Sequence, residues 1–340
     1  MNDDSAGAAC HGPGHDTLAE AGNADAEPQG GKMSKYRLVT RSDMDGLVAA
    51  MLLKQLEMID EIVFVHPKDV QDGKVHIDGN DITANLPYMP AAHLAFDHHY
   101  SEMLRHSGNE AANYINIPTA PSAARIIYDY FGGKKRFTNI SEEMMAEVDK
   151  ADSAKFSQEE VLNESGWPLL SFIMDPRTGL GRFREFRISN YDLMMKLIDI
   201  CLTQPIEQVL EDPDVRERVD LYMSHRDEAR EQIERCSTVH GKLVVLDLRN
   251  EETIYCTNRF TIYALYPTCN ISMHVLWGRE KQNVVFAVGK SIFDRSSKID
   301  VDALMLSYGG GGHEAAGTCQ VPIDHAERVR EELITKITRA

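Results

Sequence analysis

The sequence predicts an α/β protein: an N-terminal domain built on a parallel sheet with helices on both faces, and a smaller C-terminal α/β domain joined to it by a helical linker. Three observations carry this expectation. From Tyr36 onward, short apolar runs of strand type alternate with stretches of helical periodicity. Around residues 205–238 the chain is highly charged, with apolar residues at helical spacing, and reads as a connecting helix. Beyond it strand signals dominate until a last amphipathic stretch. The implied organisation is a disordered leader over 1–34, a first domain over 35–204, the linker over 205–238 and a second domain over 239–340.

The leader is rich in Gly, Ala, Asp and Pro and nearly lacks large apolar residues, so it cannot bury enough surface to order itself. Cys10, His11 and His15 within it are read as tail residues rather than as a metal cluster, and Met33 offers a second start of translation. In the first domain the expected strands are YRLVT, EIVFVH, KVHI and HLAF, with helices over GLVAAMLLKQLE and SAARIIYDYF. In the second they are KLVVLDL, ISMHVLWG and NVVFAVGKS, then a short helix, a glycine run and the helix AERVREELITKITRA.

Composition narrows the function. With 340 residues and 43% apolar content the chain supports two ordinary cores. Its 36 Lys and Arg against 53 Asp and Glu give a net charge of −17, which disfavours the extended basic footprint needed to track long nucleic acid. A small, highly charged ligand stays compatible, because metals and arginines can make one pocket positive inside an acidic protein. No apolar run approaches the roughly 18 residues of a membrane span, and no secretory signal stands at the start. The six cysteines are scattered without a CxxC pair, which argues against a zinc knuckle or a disulfide framework. A cytoplasmic protein without a membrane partner is expected, with a homodimer left open.

Chemistry-bearing residues cluster at strand ends. RSDMDG places Asp43 and Asp45 two apart, on one side of an extended segment, with Gly46 turning the chain into a helix. HLAF runs into Asp97, His98 and His99, whose alternation points the two imidazoles to opposite sides. Between these, IDGNDITANLP offers Asp78 and Asp81; later, VDKADSAKF offers Asp149 and Asp152. Carboxylate oxygen mixed with imidazole nitrogen, without cysteine, suits Mn²⁺, Mg²⁺ or Fe²⁺. A binuclear hydrolase fits such a set, since two ions roughly 3.5–4 Å apart acidify a bridging water and stabilise an in-line displacement.

Near the C-terminus SYGGGGHEAAG carries Gly309, Gly310, Gly311, Gly312, His313 and Gly317. On composition a GGGGH string arises by chance in roughly a few sequences per ten thousand. Successive glycines let backbone N–H groups approach an anion, residues after them can start a helix whose N-terminus favours phosphate, and His313 can donate to a phosphoryl oxygen.

In this order the DxDG segment, the following aspartate segment, DHH, a later aspartate and the GGGH loop resemble the DHH superfamily of phosphoesterases with a C-terminal DHH-associated domain, of the oligoribonuclease and exopolyphosphatase-like branch. The resemblance covers about residues 36–325. It implies a binuclear, usually manganese, site in the first domain and a second domain that closes on the substrate with its glycine loop. It further implies Asp43, Asp45, His98 and Asp152 as ligands, Asp81 as the bridging carboxylate, His99 as a phosphate contact and Asp97 as a support for the imidazoles. Asp81, His98 and His99 are the implied catalytic residues, and Arg41 is added to them as a clamp for a phosphate. Arg41 departs from the pattern: it stands where a histidine ligand is common, and a guanidinium cannot ligate a metal. Two Mn²⁺ ions are therefore expected, or one if Arg41 blocks the first site, with Mg²⁺ as the substitute.

Further phosphate contacts are sought in Arg177, Arg182, Arg184 and Arg187, and in Lys290, Ser291 and Arg295 beside the glycine run, with Gly310, Gly311, Gly312 and His313 on the substrate. The resulting expectation is a metal-dependent phosphoesterase acting on short oligonucleotides or nucleoside phosphates. The alternatives are an exopolyphosphatase acting on polyphosphate and, given Arg41, a catalytically weakened nucleotide sensor.

Overall fold

A computed structural model describes residues 35–99, 102, 111–183 and 185–339. The expected leader, with Cys10, His11, His15 and Met33, and Arg184 of the arginine run lie outside them. Residues Lys35–Ala340 pack as one compact unit.

The first sheet is five-stranded and wholly parallel, in the order β2-β1-β3-β4-β5. Its strands are β1 (Tyr36–Thr40), β2 (Ile59–Phe64), β3 (Asp81–Ala84), β4 (Leu94–Asp97) and β5 (Tyr114–Asn116). Alternation along β1 sends Leu38 into the main core and Val39 to a small cluster on the other face with Val70, Ile77, Leu86 and Ala92. The main core is built with α1 (Met44–Gln55), α2 (Ala123–Tyr130), α3 (Glu142–Asp152) and α4 (Asn190–Thr203), while the short helix Pro67–Gln71 supplies Val70 opposite. The helix α1 is buried from Met44 to Leu53, which explains its nearly uninterrupted apolar sequence.

The second sheet is mixed and six-stranded, in the order β10-β11-β9-β8-β7-β6. It comprises β6 (Ser237–His240), β7 (Leu243–Asp247), β8 (Ile271–Trp277), β9 (Val284–Lys290), β10 (Gly311–His313) and β11 (Ala316–Val321). Val244 and Leu246 face the core shared with the first sheet, and Leu243 and Val245 face a second core closed by Leu333 and Ile337 of the C-terminal helix α5 (Ala326–Arg339).

Three local expectations are corrected. KVHI is not a strand; the strand is DITA, a few residues later, and this moves Asp81 from a strand's carboxyl end to its amino end. The segment 205–238 is not one helix but Ile206–Glu211, Pro213–Ser224 and Arg226–Cys236, because Pro213 lacks the N–H an interior position needs and opens a new helix capped by Asp212. The glycine run starts no helix. It enters the hairpin β10–β11, in which Gly312 pairs with Gly317 and His313 with Ala316. A Cβ on Gly312 would lie 2.3 Å from the Ala316 carbonyl oxygen, so the glycines are needed for close approach of the two strands.

Candidate metal centre

Because the first sheet is parallel, the chain leaves β1, β3 and β4 along one edge. Asp45 in the first turn of α1, His98 after β4 and Asp152 at the end of α3 each bring a ligand atom there, all within 4.8 Å of one another. Donors across a single Mg²⁺-sized ion are separated by roughly 4 Å, the scale of this cluster.

The details suit a cation. Both Asp45 oxygens accept backbone N–H bonds from the start of α2, Ala123 at 3.1 Å and Ala124 at 2.7 Å, which aims the carboxylate while leaving it lone pairs to spare. His98 Nδ1 lies 3.2 Å from the Ala120 carbonyl oxygen. That oxygen only accepts, so Nδ1 carries the hydrogen and Nε2 is the ligating atom. Nε2 lies 2.7 Å from Asp152 Oδ2, an ion pair that a protonated imidazole makes in the metal-free site.

Electrostatics sets a pH dependence. Burial, then the neighbouring Asp152, pushes the Asp45 carboxyl up to about 8. Burial disfavours the His98 imidazolium, but Asp152, followed by Asp45 and Asp97, outweighs this and raises it to about 9. Near pH 7 the metal-free cluster therefore holds protons that an incoming ion must displace. Ion affinity is expected to rise from pH 6 to pH 8, by roughly tenfold per pH unit for each proton displaced from Asp45 and His98. Calorimetric Mn²⁺ titrations in buffers of different protonation enthalpy check it; an affinity flat across that range would refute it.

The other expected ligands are held elsewhere. Asp43 does not lie beside Asp45 on an extended segment. It caps α1, accepting from Gly46 N at 3.0 Å through Oδ1, and its Oδ2 lies 3.1 Å from Arg41 Nε. Gly46 is required there, since a Cβ would meet the Arg41 carbonyl oxygen at 1.9 Å. Asp81 does not join the cluster: it starts β3 at the opposite edge, buried, gripped by Arg37 through Nε at 2.7 Å and Nη2 at 2.9 Å. What stands at the carboxyl end of β3 is Asn85, which the sequence reading missed. Asp78 is bound to Asn80 N, and Asp149 accepts from Arg125 and Ser122.

His99 Nδ1 donates to Asp97 Oδ1 at 2.7 Å, and its ring stacks on His313 with centroids 5.5 Å apart. The glycine hairpin thus meets the DHH segment across a cleft of about 1920 Å³, roughly twice what a drug-sized ligand fills. Arg41, Arg177, Arg182, Arg259, Lys290, Ser291, Arg295 and the glycines Gly310, Gly311 and Gly312 also line it. Asp175 receives Arg177 Nε at 2.7 Å and faces Arg259 Nε at 3.4 Å. Burial, then the nearby Arg177, lowers Arg259 to about 10. Arg259 was missed in the sequence because it stands alone, with no basic neighbour nearby in the chain. Arg187, by contrast, lies outside the cleft, its guanidinium facing Asp214 at 3.6 Å and its backbone N–H donating to Glu217. Lys290 pairs with Glu314 at 3.0 Å, the Ser291 hydroxyl caps Phe293 and Asp294, and Arg295 donates to the Ser153 and Ala154 carbonyls.

A parallel sheet whose carboxyl edge gathers mixed oxygen and nitrogen donors, faced by arginines and a glycine hairpin, defines a hydrolase of phosphate esters. Among solved structures the chain is similar to the pGpG-specific phosphodiesterase PggH from Vibrio cholerae, at 58% identity and a TM-score of 0.79 over 90% of this chain and 99% of that one. The chain belongs to the DHH superfamily of phosphoesterases. It also aligns, at 12% identity in each case, with an exopolyphosphatase-related protein from Bacteroides fragilis (TM-score 0.49; 90% and 93% of the two chains) and with RecJ in complex with Mn²⁺ from Thermus thermophilus (TM-score 0.48; 91% and 53%). No family model and no curated protein matches it. Among the described residues no helix is long and apolar enough to cross a membrane, and Cys201, Cys236, Cys256, Cys269 and Cys319 are free thiols.

Proposed function

We propose that the chain hydrolyses short 5′-phosphorylated oligonucleotides, with the linear dinucleotide pGpG as its substrate. Water adds across the P–O bond that joins the two nucleotides, and two nucleoside monophosphates leave. The observation that carries this reading is the 58% identity to a pGpG-specific enzyme, running through 90% of this chain and 99% of that one. The size of the cleft and its arginines support it.

Mn²⁺ or Mg²⁺ would be held by Asp45, His98 and Asp152. A divalent ion there supplies Lewis acidity and lowers the pKa of a water it binds. The charge available favours one ion: Asp45 and Asp152 balance two positive charges, while Asp43 is already balanced by Arg41. The Arg41 guanidinium is turned to the carboxylates, and its remaining donors are assigned to the scissile phosphoryl group. His99, oriented by Asp97, and His313 above it would hold non-bridging oxygens, with Arg177 and Arg259 on the second phosphate. On this reading residues 35–204 carry the ion, 239–340 close on the substrate, 205–238 link them, and the protein works in the cytoplasm.

The test is a Mn²⁺-supplemented assay over pGpG, a nucleoside 3′,5′-bisphosphate, a cyclic dinucleotide and short polyphosphate. The expected result is a kcat/KM for pGpG at least tenfold above every other. Faster turnover of polyphosphate or bisphosphate would overturn it, and binding of pGpG without turnover would mark a nucleotide sensor instead.

A further inference from the structure

We propose that Asn85 is a ligand of the ion: its side-chain carbonyl completes the set of Asp45, His98 and Asp152, and because an amide brings no charge, the centre holds one divalent ion and not two. This rests on the reading that the cluster binds a divalent ion at all.

Asn85 directly follows β3, which lies in the sheet between β1, leading to Asp45, and β4, leading to His98. It lines the same cleft as the three ligands and is 1% exposed. Its backbone N–H is spent on the Phe96 carbonyl at 3.0 Å, yet neither Oδ1 nor Nδ2 of its side chain has a hydrogen-bond partner among the described residues. A dry amide left unpaired at both ends is unfavourable. The residue also sits at φ 56°, in the left-handed region where asparagine is tolerated better than most side chains. Both costs fall on one residue, at the end of the strand between those that lead to Asp45 and His98, and a hard cation is a partner that an amide oxygen satisfies.

The ion count follows from charge. Among the carboxylates around the cluster, Asp43 is committed to Arg41, Asp97 to His99, Asp149 to Arg125 and Asp175 to Arg177, while Asp81 stands at the far edge of the sheet with Arg37. A second divalent ion would meet the permanent charge of Arg41 and find a neutral amide where a bridging carboxylate is needed.

The experiment measures Mn²⁺ binding by native mass spectrometry and electron paramagnetic resonance on the full chain, its Asn85→Gly variant and its Asn85→Asp variant. Glycine adopts positive φ freely, so Asn85→Gly removes the amide without straining the backbone. The wild type is expected to bind one Mn²⁺ with the spectrum of an isolated ion. Asn85→Gly is expected to bind it at least tenfold more weakly while melting no lower than the metal-free wild type. Asn85→Asp, nearly isosteric, is expected to bind the first ion more tightly or admit a second, and this holds the proposal to account even if the glycine variant misfolds. Two spin-coupled ions in the wild type overturn the proposal. So does unchanged affinity in Asn85→Gly, or unchanged affinity and stoichiometry in Asn85→Asp. A wild type that turns over pGpG yet binds no Mn²⁺ overturns the metal centre itself, whereas one bound ion indifferent to position 85 overturns the Asn85 assignment alone.

Discussion

Asp152→Ala is expected to lose ion retention and to turn over pGpG roughly a thousandfold more slowly, equivalent to about 4 kcal/mol of transition-state stabilisation. The side chain is one of three donors within 4.8 Å, and it alone of them is not fixed by a backbone hydrogen bond of its own side chain. Its loss leaves Asp45 and His98 too few to hold a divalent ion against water. It also removes the chief influence that raises His98. The fold should be unaffected, because Asp152 is the last residue of α3 and stands apart from the buried face of Met144, Met145 and Val148. Metal content after dialysis, measured beside kcat, decides the matter: wild-type values of both would remove Asp152 from the centre.

Asp81→Ala is expected to do the reverse. It should lower stability by about 3 kcal/mol while leaving the ion content of the folded protein unchanged. Asp81 is 1% exposed and accepts from Arg37 Nε, Arg37 Nη2 and Asp78 N, so truncation strands a guanidinium and a turn N–H together. The figure sits at the low end of what breaking a buried pair costs because the Arg37 side chain is 31% exposed and water partly replaces the lost partner. Urea unfolding of the two proteins, with the ion assayed on the folded fraction, measures both halves. Loss of the ion at undiminished stability would restore Asp81 to the centre.

These two aspartates show where the sequence was readable and where it was not. The alternation of strand and helix signals, and the runs LVT, IVF, VVLD and VVFAV, place most of the strands because apolar content in them is dense. DITA is short, begins with a charge and follows a DGN turn, whereas KVHI just before it looks more like a strand; only pairing between β1 and β4 decides for DITA. That shift exchanges a carboxylate for an amide at the sheet edge. The DxDG segment misled in a related way: period-two alternation was assumed where helix had already begun, so Asp43 became a cap and Asp45 turned inward alone. The GGGGH string signalled close approach, and close approach is what the structure has, but to a neighbouring strand. Arg259 and Asn85 carry no pattern at all in one dimension; each is defined only by what surrounds it.

The hook formed by Arg295 links two events that are otherwise separate in time. Reaching from beyond the second sheet, it holds the Ser153 and Ala154 carbonyls, the two residues immediately after Asp152. Any opening of the cleft wide enough for nucleoside monophosphates to depart would strain or break that hold and loosen the segment that aims Asp152. If the cleft opens and closes, egress and the grip on an ion would be thermodynamically reciprocal: whatever favoured the open form would weaken the ion, and a bound ion would favour closure to the same degree.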